Sequence, residues 1–98
     1  MEIIFQDIAQ HANMQARATK AAEKRAKSGK NTIVLFEVGD NYEAYNESAE
    51  ALHDICNHRL FFMWSMSSTH FNKECFDLVA PKMIRKGYMF CIYEKGNF

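Results

Sequence analysis

The stretch that decides the fold runs from Thr32 to Glu43 and reads TIVLFEVGDNYE. Its first part, Thr32 to Val38, is apolar and rich in β-branched residues without polar alternation, which is typical of a strand covered on both faces. We therefore expect a strand that lies centrally in the sheet. Gly39 and Asp40 interrupt the apolar run, and Asp40 is predicted to cap the N-terminus of a following helix.

That helix is predicted over Tyr42 to Cys56. Apolar side chains recur there at steps of three and four residues, namely Tyr42, Tyr45, Ala49, Leu52, Ile55 and Cys56. This spacing places them on one face of an α-helix that could pack on the strand. Glu43 stands where the acid of a capping box reaches back to the N–H group of the cap residue.

A second helix is predicted upstream, over residues 7–28. The segment is rich in strong helix formers and contains neither Gly nor Pro, and Gly29 supplies a stop. Its apolar positions form a narrow stripe that is mostly alanine: Ile8, Ala12, Met14, Ala18, Ala21, Ala22 and Ala26. We therefore expect this helix on the outside of the domain.

The second half of the chain predicts two further strands and a helix between them. Leu60 to Met66 and Tyr88 to Tyr93 are apolar runs that indicate buried strands. Residues 67–69, Ser-Ser-Thr, can turn the chain and cap a helix that continues to Gly87. Pro81 should kink this helix or divide it into two.

Alternating helices and strands predict an α/β domain with a mixed sheet of three to four strands and flanking helices. The 98 residues fit one domain, with a basic N-terminal helix over residues 7–28 and an α/β core over residues 32–95. A core of this size leaves little room for an enclosed active site, and the phosphate-binding and nucleophile-elbow motifs are absent. We expect no enzyme activity and no cofactor.

The cellular setting follows from what the sequence lacks. No apolar run is long enough to cross a bilayer, and the N-terminus has no basic start of a signal peptide, so we expect a soluble, cytoplasmic protein without membrane contact. Three cysteine residues at wide spacings, Cys56, Cys75 and Cys91, are expected to be reduced thiols.

The net charge of zero conceals three blocks of charge. Between Arg17 and Lys30 there are six cations and one acid, between Asn31 and His58 six acids and no Lys or Arg, and after that six cations and three acids. The first block supplies candidate contacts to DNA phosphates: Lys20, Lys24, Arg25, Lys27 and Lys30. A solvated helix face is the alternative explanation of these cations.

The residue types of the chain are compatible with two kinds of metal site. Zinc could use the ligands His53, Cys56, His58 and His70, and Mg²⁺ for nuclease chemistry could use the carboxylates Glu37, Asp40, Glu43 and Glu47. The zinc spacing is unconvincing, and helix capping or solvation accounts for the carboxylates. We therefore expect no metal.

The segment over residues 33–50, IVLFEVGDNYEAYNESAE, resembles the N-terminal mismatch-recognition domain of the MutS family. That domain has an apolar strand followed by Gly-Asp-Phe-Tyr-Glu. A helix, a Gly and another strand come later in it, and Met83 to Lys95 correspond to them here. The resemblance spans about Ala12 to Lys95. It implies a domain that touches DNA at a distorted base step.

In that family an aromatic ring stacks on the mispaired base and a glutamate hydrogen-bonds it. The resemblance places these roles at Asn41 and Glu43, and Asn41 has no ring, so stacking from that position is missing. The chain also lacks the ATPase region of the family, so we expect either a stand-alone relative or a module of a larger protein.

The sequence thus favours a non-catalytic module that binds or associates with DNA, without a prediction of oligomeric state. The alternative is a protein-interaction module of a mobile-element or phage-like system, which would use exposed aromatic residues near Phe61, Phe62 and Trp64 or the acidic helix face. A small metal-dependent nuclease is the third hypothesis.

Overall fold

The computed structural model describes residues 5–95, and the side chains from residue 9 onward. The elements in chain order are α1 (Phe5–Ser28), β1 (Thr32–Val38), β2 (Asn41–Tyr45), α2 (Glu47–Cys56), β3 (Phe61–Met63), β4 (Met66–Asn72), a 3₁₀ turn (Lys73–Cys75), α3 (Phe76–Arg85) and β5 (Met89–Tyr93). None of the helices described in this range could span a lipid bilayer.

The strands form one mixed sheet in the order β3-β4-β2-β1-β5. β1 runs parallel to β5 and antiparallel to β2, and the remaining pairs are antiparallel. The prediction of an α/β domain with a mixed sheet is confirmed, although the sheet has five strands rather than three to four. β1 lies inside the sheet as predicted, and Thr32 to Phe36 are buried.

Helices cover both faces of the sheet. Ile33 and Leu35 of β1 pack with Leu52 of α2 and with α3, whereas Val34 and Phe36 pack under α1. Successive side chains of a strand point to opposite faces, so β1 contributes to both halves of the core. This explains why its sequence shows no polar alternation.

The N-terminal helix is confirmed and lies on the outside of the sheet. Met14, Ala18 and Ala21 are its buried contacts, at steps of four and three residues. The stripe is narrower than predicted because Ala12, Ala22 and Ala26 are exposed, and the side chain of Ile8 lies outside the described residues. Gly29 ends the helix at a φ of 103°, and its N–H group donates to the carbonyl oxygen of Arg25 across 2.8 Å.

The prediction of a single helix over Tyr42 to Cys56 is wrong in its first half. Residues 41–45 form β2, which pairs with β1 and β4, and only Glu47–Cys56 is helical. Gly39 and Asp40 are the two-residue turn of a β1–β2 hairpin, a role for which Gly-Asp is well suited. Asp40 therefore caps no helix, and Glu43 is not part of a capping box.

Asn46 separates β2 from α2. It has a φ of 52°, and its side chain makes no capping hydrogen bond. Instead, the Asn46 N–H group donates to the carbonyl oxygen of Ser67, and the Ser67 N–H group donates to Asn46 Oδ1. The hydroxyl oxygen of Ser48, in the first turn of α2, accepts a hydrogen bond from the N–H group of Val34 across 3.1 Å. The chain thus leaves the sheet at Asn46, and α2 stays tied to β1.

The predicted buried strand over Leu60 to Met66 is also wrong. A turn at Trp64 and Ser65 divides the region into β3 and β4, and β3 forms an exposed edge of the sheet. Residues 67–69 belong to β4 and do not cap a helix. The apolar run was misread because its residues are exposed on an edge strand, where periodicity no longer reports burial.

The last helix and strand differ from prediction in their bounds. α3 begins at Phe76, and Pro81 lies inside it without dividing it. Pro81 is the sixth of the ten residues of α3, and because it has no N–H group the helix lacks one backbone hydrogen bond, the one to the carbonyl oxygen of Asp77. β5 begins at Met89 and is half-buried on the sheet edge rather than fully buried.

Candidate nucleic-acid interface

β2 presents Asn41 and Glu43 on the face of the sheet that α1 covers. Both are half-buried, and they lie two residues apart, on the same side of the strand as Tyr45. Glu43 is paired with Phe36 on β1 and with His70 on β4. The strand therefore displays the two positions that the resemblance singled out side by side.

Glu43 is held by two partners. The hydroxyl group of Tyr45 donates to Glu43 Oε1 across 2.5 Å, and Arg17 Nη2 of α1 lies 3.7 Å from the same oxygen. Arg17 Nε in turn donates to the hydroxyl oxygen of Tyr45 across 2.7 Å. Burial, reinforced by the carboxylate of Glu43, raises the pKa of Tyr45 far above its ordinary value, so Tyr45 remains a donor.

The predicted phosphate contacts, four on α1 and Lys30 just after it, fall into two groups. Lys20 Nζ lies 4.7 Å from the centroid of the Tyr93 ring, and Arg25 donates to the carbonyl oxygens of Thr32 and Lys30 at 2.6 and 2.7 Å. Arg25 also forms an ion pair with Glu47 at 3.0 Å. Arg25 thus links the end of α1 to β1 and to α2.

The other three cations, Lys24, Lys27 and Lys30, form no ion pair with a residue that the structure describes. Lys27 and Lys30 are exposed, and Lys24 is half-buried. Of the five predicted phosphate contacts, these three form no ion pair with a described acid.

A second basic segment, which the sequence reasoning missed, meets this end of α1. The N–H group of Met89 donates to the carbonyl oxygen of Asn31 across 2.9 Å, which joins the α3–β5 loop to the α1–β1 loop. These loops and the helix ends beside them carry four exposed cations that we call the basic end: Lys27, Lys30, Arg85 and Lys86. The signal was available, because the sequence has no acid from residue 24 to 36 or from 78 to 93.

The basic end and the β2 positions lie far apart. The basic end adjoins Thr32 at the start of β1, whereas Asn41 is paired with Val38 at the other end of that strand. A strand rises about 3.3 Å per residue, so β1 alone separates the two regions by about 20 Å. The structure does not bring the predicted site residues together into one cluster.

Aromatic residues of the β3–β4 hairpin form a third exposed region. Phe62 is 78% exposed and Trp64 is 54% exposed. Trp64 has a φ of 56°, a conformation that costs an ordinary residue about 1–2 kcal/mol. Its ring stacks on that of His11 with a centroid distance of 4.0 Å, so the turn places the Trp64 ring in contact with α1.

The candidate metal ligands do not converge. Glu37 lies on the α2 face of the sheet and Glu43 on the α1 face, so the proposed carboxylate cluster is not assembled. Glu37 accepts hydrogen bonds from Lys73 Nζ at 2.6 Å and from the Lys95 N–H group at 2.8 Å. Among the described residues, no three His, Cys, Asp or Glu side chains form a group that could hold a metal ion.

The potential zinc ligands are dispersed as well. His53 Nδ1 is bonded to the carbonyl oxygen of His58 across 2.9 Å, and His70 lies on β4, on the α1 face. The cysteines Cys56, Cys75 and Cys91 are unpaired and half-buried. Burial raises the pKa of Cys56 above its ordinary value, which keeps it a thiol.

The fold and the β2 strand define a small α/β module that displays polar side chains at one end of a mixed sheet. The family model described as MutS domain I matches residues 18–97, and the chain belongs to this family. The resemblance drawn from the sequence is thereby confirmed. A comparison with curated protein sequences finds no match to the chain.

Proposed function

We propose that the chain is a non-catalytic DNA-binding module that holds duplex DNA through its phosphates and does not read a mismatch through residue 41. Membership of the MutS domain I family supports DNA as the ligand. The observation that carries the phosphate contact is the meeting of two acid-free basic loops at the basic end. Lysine and arginine side chains that neutralise phosphates supply affinity without sequence information.

The loss of mismatch reading rests on Asn41. A ring that stacks on a base contributes about 1–3 kcal/mol, and the amide of Asn41 offers no such surface. Glu43 occupies the other reading position, but its Oε1 is already engaged by Tyr45 and Arg17. Neither side chain can then act as a wedge that unstacks a base pair.

Charge reversal at the basic end tests the proposal. Lys27→Glu should weaken binding to all duplexes to a similar degree and make the salt slope of log K shallower by about 1. Lys95→Glu is the matched control, because Lys95 is an exposed lysine that follows β5 at the other end of the sheet. Equal effects of the two variants, or none, would contradict phosphate contact at the basic end.

The exposed edge strand favours a second candidate function, which is protein binding. An edge strand presents unpaired backbone groups, and the side chain of Phe62 is largely exposed beside them. A second copy of the chain could pair along β3. Sedimentation of the wild type and of Phe62→Lys tests this, since a dimer that the substitution dissociates would support it and a monomeric wild type would contradict it.

A further inference from the structure

We propose that a groove between α2 and α3 is a docking site for an acidic segment of a partner protein, one that carries apolar side chains among its carboxylates. The groove has a volume of about 350 Å³ and is lined by Ile55 of α2 and by three cations at the end of α3, Lys82, Arg85 and Lys86. We call it the α2–α3 groove. It lies on the face of the sheet opposite to α1, away from the β2 positions that the family resemblance singled out.

The floor of the groove is apolar because the two helices pack together beneath it. Leu52 of α2 and the α3 residues Val79 and Met83 belong to one core cluster, and Ile55 packs against the border of that cluster. Ile55 is half-buried, so part of its side chain remains open to the groove. An apolar side chain of a partner would remove this remaining surface from water.

The rim of the groove is basic. Lys82, Arg85 and Lys86 are exposed, and none of them forms an ion pair with an acid that the structure describes. The sequence contains no Asp or Glu from residue 78 to 93. Opposite charge across an interface speeds association and disfavours partners of the wrong charge. The rim therefore complements a segment rich in carboxylates.

An exposed leucine continues the groove along α3. Leu78 is 72% exposed and precedes Lys82 by four residues and Arg85 by seven, so the three side chains lie on one face of the helix. An apolar side chain gains free energy by covering a leucine, whereas a phosphate group does not. The combination of Leu78 and Ile55 with three cations thus favours an acidic protein segment over the backbone of DNA.

The α2–α3 groove and the basic end share two cations, Arg85 and Lys86. A segment bound in the groove would cover them and compete with DNA, and this consequence alone rests on the proposed function. Lys82 belongs to the groove only and Lys27 to the basic end only, and both are exposed lysines. Charge reversal at these two residues therefore separates the two sites.

Anisotropy titrations with a labelled peptide test the docking site. The probe is fluorescein-labelled Glu-Leu-Glu-Glu-Leu-Glu-Glu-Leu-Glu, and two comparison peptides replace every Glu by Gln or every Leu by Ser. The wild type should bind the probe about tenfold more tightly than either comparison peptide, because each lacks one half of the complementarity. Lys82→Glu should weaken probe binding by about tenfold, whereas Lys27→Glu should change it by less than about twofold.

The apolar part of the groove has its own matched pair of variants. Leu78→Ser should weaken binding of the probe by about fivefold. Ile84→Ser should leave it unchanged, since Ile84 is also exposed but lies on a different face of α3. Equal binding of the three peptides, or equal effects of the two variants in either pair, overturns the docking site.

The same variants titrated with a labelled matched duplex keep the two proposals apart. Lys27→Glu should weaken duplex binding more than Lys82→Glu does, and unlabelled probe should displace the duplex. Duplex binding without probe binding overturns the docking site alone, and a larger loss of duplex affinity in Lys82→Glu than in Lys27→Glu would assign the groove to DNA instead. Probe binding without duplex binding supports the docking site and overturns the proposed function.

Discussion

Tyr45 donates its hydroxyl hydrogen to Glu43 across 2.5 Å, and both side chains lie on the same face of β2. Arg17 of α1 bonds the Tyr45 oxygen and lies beside the Glu43 carboxylate, so the three groups join the helix to the strand. The position to which the resemblance assigns contact with a base is thereby part of the packing of α1 on the sheet. In this chain the Glu43 carboxylate therefore takes part in the packing of α1 on β2.

Tyr45→Phe tests the structural part of this arrangement. The substitution keeps the ring that packs against Phe36 and removes one hydrogen bond to a carboxylate, so the free energy of unfolding should fall by about 1–2 kcal/mol. Urea unfolding measures the change. Tyr88→Phe is the control, and an unfolding free energy of Tyr45→Phe equal to that of the wild type would show that the bond contributes nothing.

Leu35→Ala tests the placement of β1 between two helical layers. Leu35 is fully buried, so the cavity should lower the free energy of unfolding by about 2–5 kcal/mol. Leu78→Ala, at an exposed position of α3, should change it by less than about 0.5 kcal/mol. Similar effects of the two substitutions in chemical denaturation would place Leu35 outside the core.

Glu37 and Lys73 should make stability depend on pH at the extremes. The hydrogen bond from Lys73, and then that from the Lys95 N–H group, lower the pKa of Glu37 below its ordinary 4.5, so its contribution is present above that pH and is lost as the pH falls through the folded-state pKa. The same bond raises the pKa of Lys73 above 10.5, so the lysine contribution is lost as the pH rises through its folded-state pKa.

Urea midpoints of the wild type and of Glu37→Gln, measured across pH, check this expectation. The wild type should be the more stable protein at neutral pH, and the difference should shrink below pH 4.5. Glu50→Gln, at an exposed position of α2, is the control. A difference that stays constant down to the lowest pH would rule out a contribution from the Glu37 charge.

Asn41→Phe should restore the missing ring. Residue 41 lies on a strand, where Phe is favoured, so the fold should tolerate the substitution. Stacking of about 1–3 kcal/mol would raise affinity for mismatched over matched duplex by about fivefold to a hundredfold. Asn31→Phe, at the other end of β1, should show no preference. Equal affinities of Asn41→Phe for the two duplexes, with an unchanged circular dichroism spectrum, would mean that β2 does not face the DNA.

The sequence predicted those elements whose burial is uniform along their length. β1 is covered on both faces and α1 on one stripe, and each leaves the expected pattern. β2 was missed because Tyr42, Tyr45 and Ala49 also fit a helical spacing, although Tyr42 and Tyr45 point to opposite faces of the sheet. Periodicity over so short a segment does not distinguish a strand followed by a helix from one helix.

The candidate site was predictable only where one segment carries it. The Gly-Asp-Asn-Tyr-Glu motif identified Asn41 and Glu43, and local charge identified the α1 lysines. The contribution of Lys86 depends on the contact between the α1–β1 and α3–β5 loops, and the pairing of Glu43 with His70 depends on β-sheet register. Both are long-range pairings that no local pattern encodes.

Phosphate binding without mismatch reading is tested most directly by titrating the wild type against matched and mismatched duplexes of equal length at several salt concentrations. The anisotropy of the labelled DNA measures binding. We predict equal affinity for the two duplexes and a slope of log K against log salt of about −3 to −5, as expected for three to five phosphate contacts. Affinity that does not change with salt, or a clear preference for the mismatched duplex, would contradict the claim that this chain holds DNA by its phosphates and does not read mismatches.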